Sequence, residues 1–207
     1  WKKNTEEERL LGVSLTGVMD NKYFGNHKSE GLAETLQELR DYAVSVSAEY
    51  AEKLGINASV AVTCGKPSGT VSQLVDCASG VVHPRHSEYY IRTVRGDKKD
   101  SVSKFLKEKG VPCEDDIMRR DSTYVFSFPV KAPEGARTQD NVNAIDQMEL
   151  WLMYVRNWCE HKVSATINVA EHEWMDVGAW VYKNFDEISG ISFLPKDGHT
   201  YQQAPYQ

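Results

Sequence analysis

The chain has 207 residues and a net charge of −6 at pH 7, with 41% hydrophobic and 26% charged residues. That is the balance of an ordinary globular protein, long enough for one domain with a substantial core. The acidic balance excludes broad, non-specific nucleic-acid binding, and no apolar run approaches the ~20 residues that span a bilayer.

The charged stretch 1–9 is not followed by an apolar signal-peptide region, and the absence of an initiator Met implies a piece of something longer. Residues 10–19 (LLGVSLTGVM) read as a buried strand running into a turn, with Asp20-Asn21 and Gly25-Asn26 as turn signals. A long helix is expected over 29–54, with Leu32, Leu36, Leu39, Ala43 and Val46 at helical spacing and Gly55 as its stop. A short buried strand follows over 58–63, then the loop 64–70 and a short helix starting near Thr70.

Residues 88–94 (EYYIRTV) have the content of a strand, 100–109 of a helix ending at Gly110, and 123–130 (TYVFSFPV) of a strand. A second strong helix spans 143–160, with Ile145, Met148, Leu152, Val155 and Trp158 on one side. Then come a strand over 163–169, a helix over 171–188 and a last strand over 190–194. Alternation of strand and helix predicts an α/β fold with a parallel sheet and crossover helices, open or closed into a barrel. With no repeat and no linker, a single domain over 1–207 is the simpler expectation.

The four cysteines, Cys64, Cys77, Cys113 and Cys159, are scattered, and none forms a CxxC or a zinc spacing. They fit a reducing cytoplasm and read as small buried hydrophobes. Glu160-His161 and Glu171-His172-Glu173 match no standard metal spacing, so no metal is expected. His83, Arg85 and His86 suit either a phosphate or cofactor contact or a polar turn fixed by Pro84. Arg92 and Arg95 read as a solvated strand face or as ion-pair partners. Trp151, Trp158, Trp174 and Trp180 read as packing groups, not as platforms for bases.

The most chemically suggestive stretch is Gly65-Lys66-Pro67-Ser68-Gly69-Thr70-Val71-Ser72, placed after a strand and before a helix. Glycines let the backbone turn and approach a ligand, unpaired N–H groups suit phosphate, and hydroxyls add donors. The stretch is neither a Walker A loop nor the GxGxxG of dinucleotide folds. From composition alone, an ordinary turn in which Ser68 or Thr70 caps the helix stands beside the phosphate reading.

The string Lys66 to Leu74, KPSGTVSQL, resembles the substrate-phosphate loop of adenosylcobalamin-dependent (class II, monomeric) ribonucleotide reductases. Gly80-Val81-Val82-His83-Pro84-Arg85, Tyr89-Tyr90-Ile91-Arg92, Phe128-Pro129-Val130-Lys131-Ala132-Pro133-Glu134-Gly135, Trp158-Cys159-Glu160-His161 and Ser164-Ala165-Thr166 are similar to segments of the same family, in the same order. So are the opening Gly12-Val13-Ser14-Leu15-Thr16-Gly17, the pair Phe193-Leu194-Pro195, and Thr200-Tyr201-Gln202-Gln203-Ala204-Pro205-Tyr206. Each is weak alone, and together they cover nearly the whole chain.

The resemblance implies the second half of a ten-stranded α/β barrel. It also implies conversion of ribonucleoside triphosphates or diphosphates to deoxyribonucleotides by thiyl-radical chemistry with adenosylcobalamin, and a thioredoxin-like reductant as partner. It implies a cytoplasmic protein with no direct contact to nucleic acid or membrane. The family's radical-cysteine motif, Asn-x-Cys-x-Glu, is not in this chain, and no cysteine here sits in a matching motif, so no catalytic residue carries over. What carries over is substrate holding by Pro67, Ser68, Gly69, Thr70, Val71 and Ser72, with Lys66 a weaker candidate and Cys64-Gly65 a departure from the family's pattern. The alternatives are a non-catalytic phosphate- or nucleotide-binding module and a structural half-barrel.

Overall fold

A computed structural model describes residues 1–196 and 203–206. Contacts divide the chain into two compact units, Trp1–Arg85 with Glu134–Lys196, and His86–Pro133 with Asp197–Gln207.

The first unit is built on two parallel strand pairs. It opens with a helix, α1 (Lys2–Glu8), and a two-residue strand, β1 (Val13–Ser14), followed by a 3-10 turn, Val18–Asp20. Helix α2 (Leu32–Leu54) ends where Gly55 adopts φ +65°, as its sequence position foretold. Strand β2 (Thr63–Cys64) lies parallel to β1, with Val13 opposite Thr63 and Ser14 opposite Cys64. After the loop comes α3 (Val71–Leu74).

The chain returns to this unit with α5 (Ala144–Asn157), β6 (Ala165–Val169), α6 (Trp174–Lys183) and β7 (Ile191–Pro195). Strands β6 and β7 are parallel and joined through α6, the crossover that the alternating pattern predicts.

Helix α5 is the centre of the core. Asn143 caps it, its side chain accepting the Asp146 N–H at 2.6 Å. Leu150, Trp151 and Tyr154 are fully buried, as are Met148 and Leu152, whereas Ile145 and Val155 are only half-buried. The helix is thus covered on more sides than the single stripe read from its sequence. On α2 the stripe fades: Leu32 and Leu36 are buried, but Leu39 is exposed.

The second unit is antiparallel, which the expectation of a parallel sheet did not include. Strands β3 (Tyr89–Asp97), β4 (Cys113–Asp115) and β5 (Thr123–Lys131) form a sheet in the order β3-β5-β4, with α4 (Ser101–Glu108) between β3 and β4. The cause lies in β4. Its three residues, Cys-Glu-Asp, carry no apolar pattern, so β3, α4 and β5 read as one strand-helix-strand unit. With β4 inserted, β5 forms a hairpin with β4 and runs antiparallel to β3, Tyr89 opposite Lys131 and Asp97 opposite Thr123.

Along β3, the Thr93 N–H donates to the Pro205 carbonyl at 3.0 Å and the Thr93 hydroxyl to Ala204 at 2.8 Å. Thr200, Tyr201 and Gln202 of the resembling tail lie outside the described residues.

Candidate functional site

The loop after β2 is fixed from three sides. At its start, the Lys66 N–H donates to Ser14 Oγ on the neighbouring strand at 3.2 Å. At its middle, the Ser68 N–H donates to Ser79 Oγ at 2.8 Å, and Ser79 Oγ donates back to the Ser68 carbonyl at 3.0 Å. At the helix, the Ser72 N–H donates to Ser68 Oγ at 2.8 Å, while the buried Ser72 hydroxyl donates to the Ser68 carbonyl at 2.9 Å. Thr70 occupies the N-cap position without a side-chain cap bond, and it is Ser68 that supplies the acceptor for the helix's Ser72 N–H.

Two glycines explain how the backbone fits. A Cβ on Gly65 would lie 3.1 Å from Cys159 Sγ and from Val163 Cγ1, so the small residue beside Cys64 answers to packing. Gly80 has φ +58°, and a Cβ there would stand 2.7 Å from the Lys66 carbonyl.

With Ser68 and Ser72 engaged in the loop's own architecture, its exposed crest is Gly69, Thr70 and Val71. Their three consecutive N–H groups, and the Thr70 hydroxyl, have no acceptor or partner among the described residues. Among the described residues nothing stands within 4 Å of a Cβ built on Gly69. Pro67 lines a cleft of about 240 Å³, together with Lys162, Ser164, Thr166, Gly190 and Ser192. Lys66, weak on sequence grounds, donates from Nζ to Ser164 Oγ at 3.1 Å. Sequence reasoning missed Lys162 and Ser164, because only folding brings β6 beside the loop.

His83 and Arg85, in the first unit, each engage groups of the protein itself, and His86 belongs to the second unit. Arg85 is buried and bonds Asp20 through Nε at 3.0 Å and Nη2 at 2.9 Å, and Asp76 through Nη1 at 3.0 Å. Asp20 also accepts the Ala78 N–H at 2.7 Å, so this network anchors the far end of the loop's helix. His83 Nε2 accepts the Thr166 N–H at 3.3 Å; burial lowers its pKa below the usual imidazole value, partly offset by the Ser79 backbone. His86 stacks on Tyr206, with ring centroids 5.9 Å apart.

Among the described residues no group of three or more His, Cys, Asp or Glu side chains is placed to hold a metal. Glu173 accepts the N–H groups of Ala144 and Ala170, both at 2.8 Å. Trp151, Trp158 and Trp180 are buried as expected, whereas Trp174 is exposed. The Trp158 indole donates to the Cys64 carbonyl at 2.9 Å, directly behind the loop. No described helix is long and apolar enough to cross a membrane.

The fold is that of part of a ribonucleotide reductase. It superposes on the crystal structure of a B-12-dependent (class II) ribonucleotide reductase with a TM-score of 0.86 at 24% identity, covering 100% of this chain and 32% of that one.

Sequence comparison carries the likeness to a narrower class. The chain is 29% identical over 212 residues to the adenosylcobalamin-dependent ribonucleoside-triphosphate reductase of Euglena gracilis, covering 100% of this chain and 29% of that protein. It is 28% identical over 213 residues to a probable enzyme of the same name from Dictyostelium discoideum, covering 96% and 26%, and 27% identical over 228 residues to that of Lactobacillus leichmannii, covering 97% and 30%. The chain thus spans less than a third of the length of these relatives. No family model matches it. The resemblance read from its motifs is borne out along its whole length: the chain is a partial relative of the adenosylcobalamin-dependent ribonucleoside-triphosphate reductases, which are enzymes.

Proposed function

We propose that this chain is one portion of an adenosylcobalamin-dependent ribonucleotide reductase, a single domain forming the second half of its ten-stranded barrel and holding the substrate's phosphates. The complete protein reduces ribonucleoside triphosphates to 2′-deoxyribonucleotides by thiyl-radical chemistry in the cytoplasm, with electrons from a thioredoxin-like reductant. The radical cysteine belongs to other parts of that enzyme.

The observation that carries the phosphate role is the crest Gly69-Thr70-Val71, whose N–H groups are open and unaccepted at the end of a strand. Pro67, Ser68 and Ser72 set its shape, so the donors are already aimed before a ligand arrives, and preorganised donors bind charge at little reorganisation cost. The parallel pairs β1-β2 and β6-β7 support the half-barrel reading. So do the exposed apolar residues Leu10, Leu11, Val13 and Val60 around β1, which pairs only with β2 among the described residues.

Adenosylcobalamin supplies the radical initiation when bound. Hollows of about 380 and 240 Å³ among the described residues are each too small to enclose a corrin, and no contact to it is assigned to this chain.

The test is ribonucleotide reduction with adenosylcobalamin and a dithiol, using this chain alone and then with the remainder of its enzyme. Activity only in the mixture supports the reading. A stable complex without activity replaces it with a non-catalytic phosphate-binding module. In the active mixture, Thr70→Val is expected to raise KM for the ribonucleotide by roughly fivefold, the loss of about one hydrogen bond.

A further inference from the structure

The cleft beside the loop has a chemistry that the loop lacks. The crest offers neutral donors only. The cleft carries cations: Lys162 lines it, and Lys66 reaches its wall at Ser164. No lining residue is a carboxylate, and neither lysine forms an ion pair among the described residues. In a chain of net charge −6, two unneutralised ammonium groups at one cleft point to an anion as its occupant.

Hydroxyls complete the setting. Thr166 and Ser192 are register partners on the parallel strands β6 and β7, so their side chains stand on the same face of the pair. Burial alternates along β6: Ala165, Ile167 and Val169 face the core, and Thr166 faces the other way. The volume of about 240 Å³ falls below the ~300–1,000 Å³ of pockets that enclose a whole drug-sized ligand, so the cleft suits one end of a ligand rather than all of it. Gly190 is part of the design. A Cβ there would collide with Lys162 Cε and lie 2.8 Å from Nζ, so the glycine leaves room for the ammonium.

We infer that this cleft receives the terminal phosphate of a nucleoside triphosphate, and that Lys162, assisted by Lys66, sets the preference for triphosphate over diphosphate. The inference rests on the proposed role of the loop. Pro67 joins the two: the loop holds the inner phosphates, and the chain's extra phosphate, with its extra charge, extends past Pro67 toward the lysines. A diphosphate does not reach them.

The experiment uses the full-length reductase, with a ribonucleoside triphosphate as substrate and the matching diphosphate as competitor, whose inhibition constant is readable whether or not it is turned over. Lys162→Met is expected to lower kcat/KM for the triphosphate about tenfold while the diphosphate inhibition constant moves by less than about twofold. Lys162→Arg should restore most of the preference, and Gly190→Ala, which displaces the ammonium without removing it, should reproduce part of the loss. Equal changes for the two nucleotides, or no change for either, overturn the inference. Thr70→Val separates the two levels. If it weakens both nucleotides, the loop reading stands whatever Lys162 does, and if it weakens neither, the loop reading itself has failed.

Discussion

The Glu160 carboxylate accepts the backbone N–H of Thr63 at 3.0 Å, joining the segment before β6 to the strand that launches the phosphate loop. The same oxygen takes the Val62 N–H at 2.9 Å and lies 3.2 Å from the Thr63 hydroxyl, whose single proton is shared with the nearer Trp158 carbonyl at 2.5 Å. His161 continues the seam, its Nε2 2.9 Å from the Leu11 carbonyl. The Trp-Cys-Glu-His stretch is therefore a stitch between strands, and its acid and imidazole serve backbone groups.

Replacing Glu160 by Ala leaves the buried Thr63 N–H without its acceptor and should cost about 1–3 kcal/mol, read as a lower midpoint of chemical unfolding. Burial alone would raise this carboxyl, but the bonds from Val62 and Thr63 outweigh it and hold the pKa below the usual 4.5. A depressed folded-state pKa contributes stability that is present above the unfolded value and lost as pH falls through the folded one. The stitch should weaken only below about pH 4.5, and Glu160→Gln should flatten that part of the stability profile. An unchanged acid limb in the Gln variant would remove this account.

Gly80→Ala tests the loop's foundation. Its φ of +58° is a left-handed conformation, costing an L-residue roughly 1–2 kcal/mol, and the new methyl would press on the Lys66 carbonyl. The expected result is a loss of at least that size in unfolding free energy, with a raised KM for every nucleotide in the assembled enzyme. Gly69→Ala, at a position with open space, should leave stability within about 0.5 kcal/mol.

Arg85 makes a sharper case. Its guanidinium is buried against Asp20, whose side chain is only 12% exposed. Arg85→Met should cost about 3–5 kcal/mol, because it strands a nearly buried carboxylate. Arg85→Lys should recover only part, since one ammonium cannot reproduce the forked contact to both oxygens of Asp20 and to Asp76. Asp76→Asn should cost far less, because Asp76 is 77% exposed and its charge is screened by water.

Three helix ends were legible because their signals are local, Gly55 at the stop of α2 and Asp100 and Asn143 at the starts of α4 and α5, whereas the expected helices overran the start of α2, the end of α5 and both ends of α6. The strands were less so. β1 keeps two residues of the run read over 10–19, and β2 keeps only Thr63 of the run read over 58–63 and takes in Cys64 from the expected loop, since pairing depends on a neighbour's register and not on composition. The polar β4 gave no periodic signal, and with it went the antiparallel sheet. At the site, the order of residues disclosed the loop, but not which groups face outward. That Ser68 and Ser72 bond each other, leaving Gly69 to Val71 as the crest, follows from how Ser79 and Gly80 pack beneath them. Lys162 stands nearly a hundred residues from Lys66 in sequence, so only the fold relates them.

Cys159 offers a test of the packing behind the loop. Burial pushes its thiol up to about 12, with a smaller contribution from Cys64. Only the thiolate reacts with an alkylating agent, so at pH 8 roughly one molecule in ten thousand is competent in the folded chain, against roughly one in ten for an unperturbed thiol of pKa 9. Cys159 should therefore label about 1,000-fold more slowly folded than in denaturant, as followed by peptide mass spectrometry with iodoacetamide. Gly65→Ala, whose methyl would crowd Cys159 Sγ at 3.1 Å, should open this region and speed the labelling. Rapid labelling of Cys159 in the native protein would mean that the wall behind Gly65 is loose, and the loop's preorganisation, which depends on that wall, would lose its support.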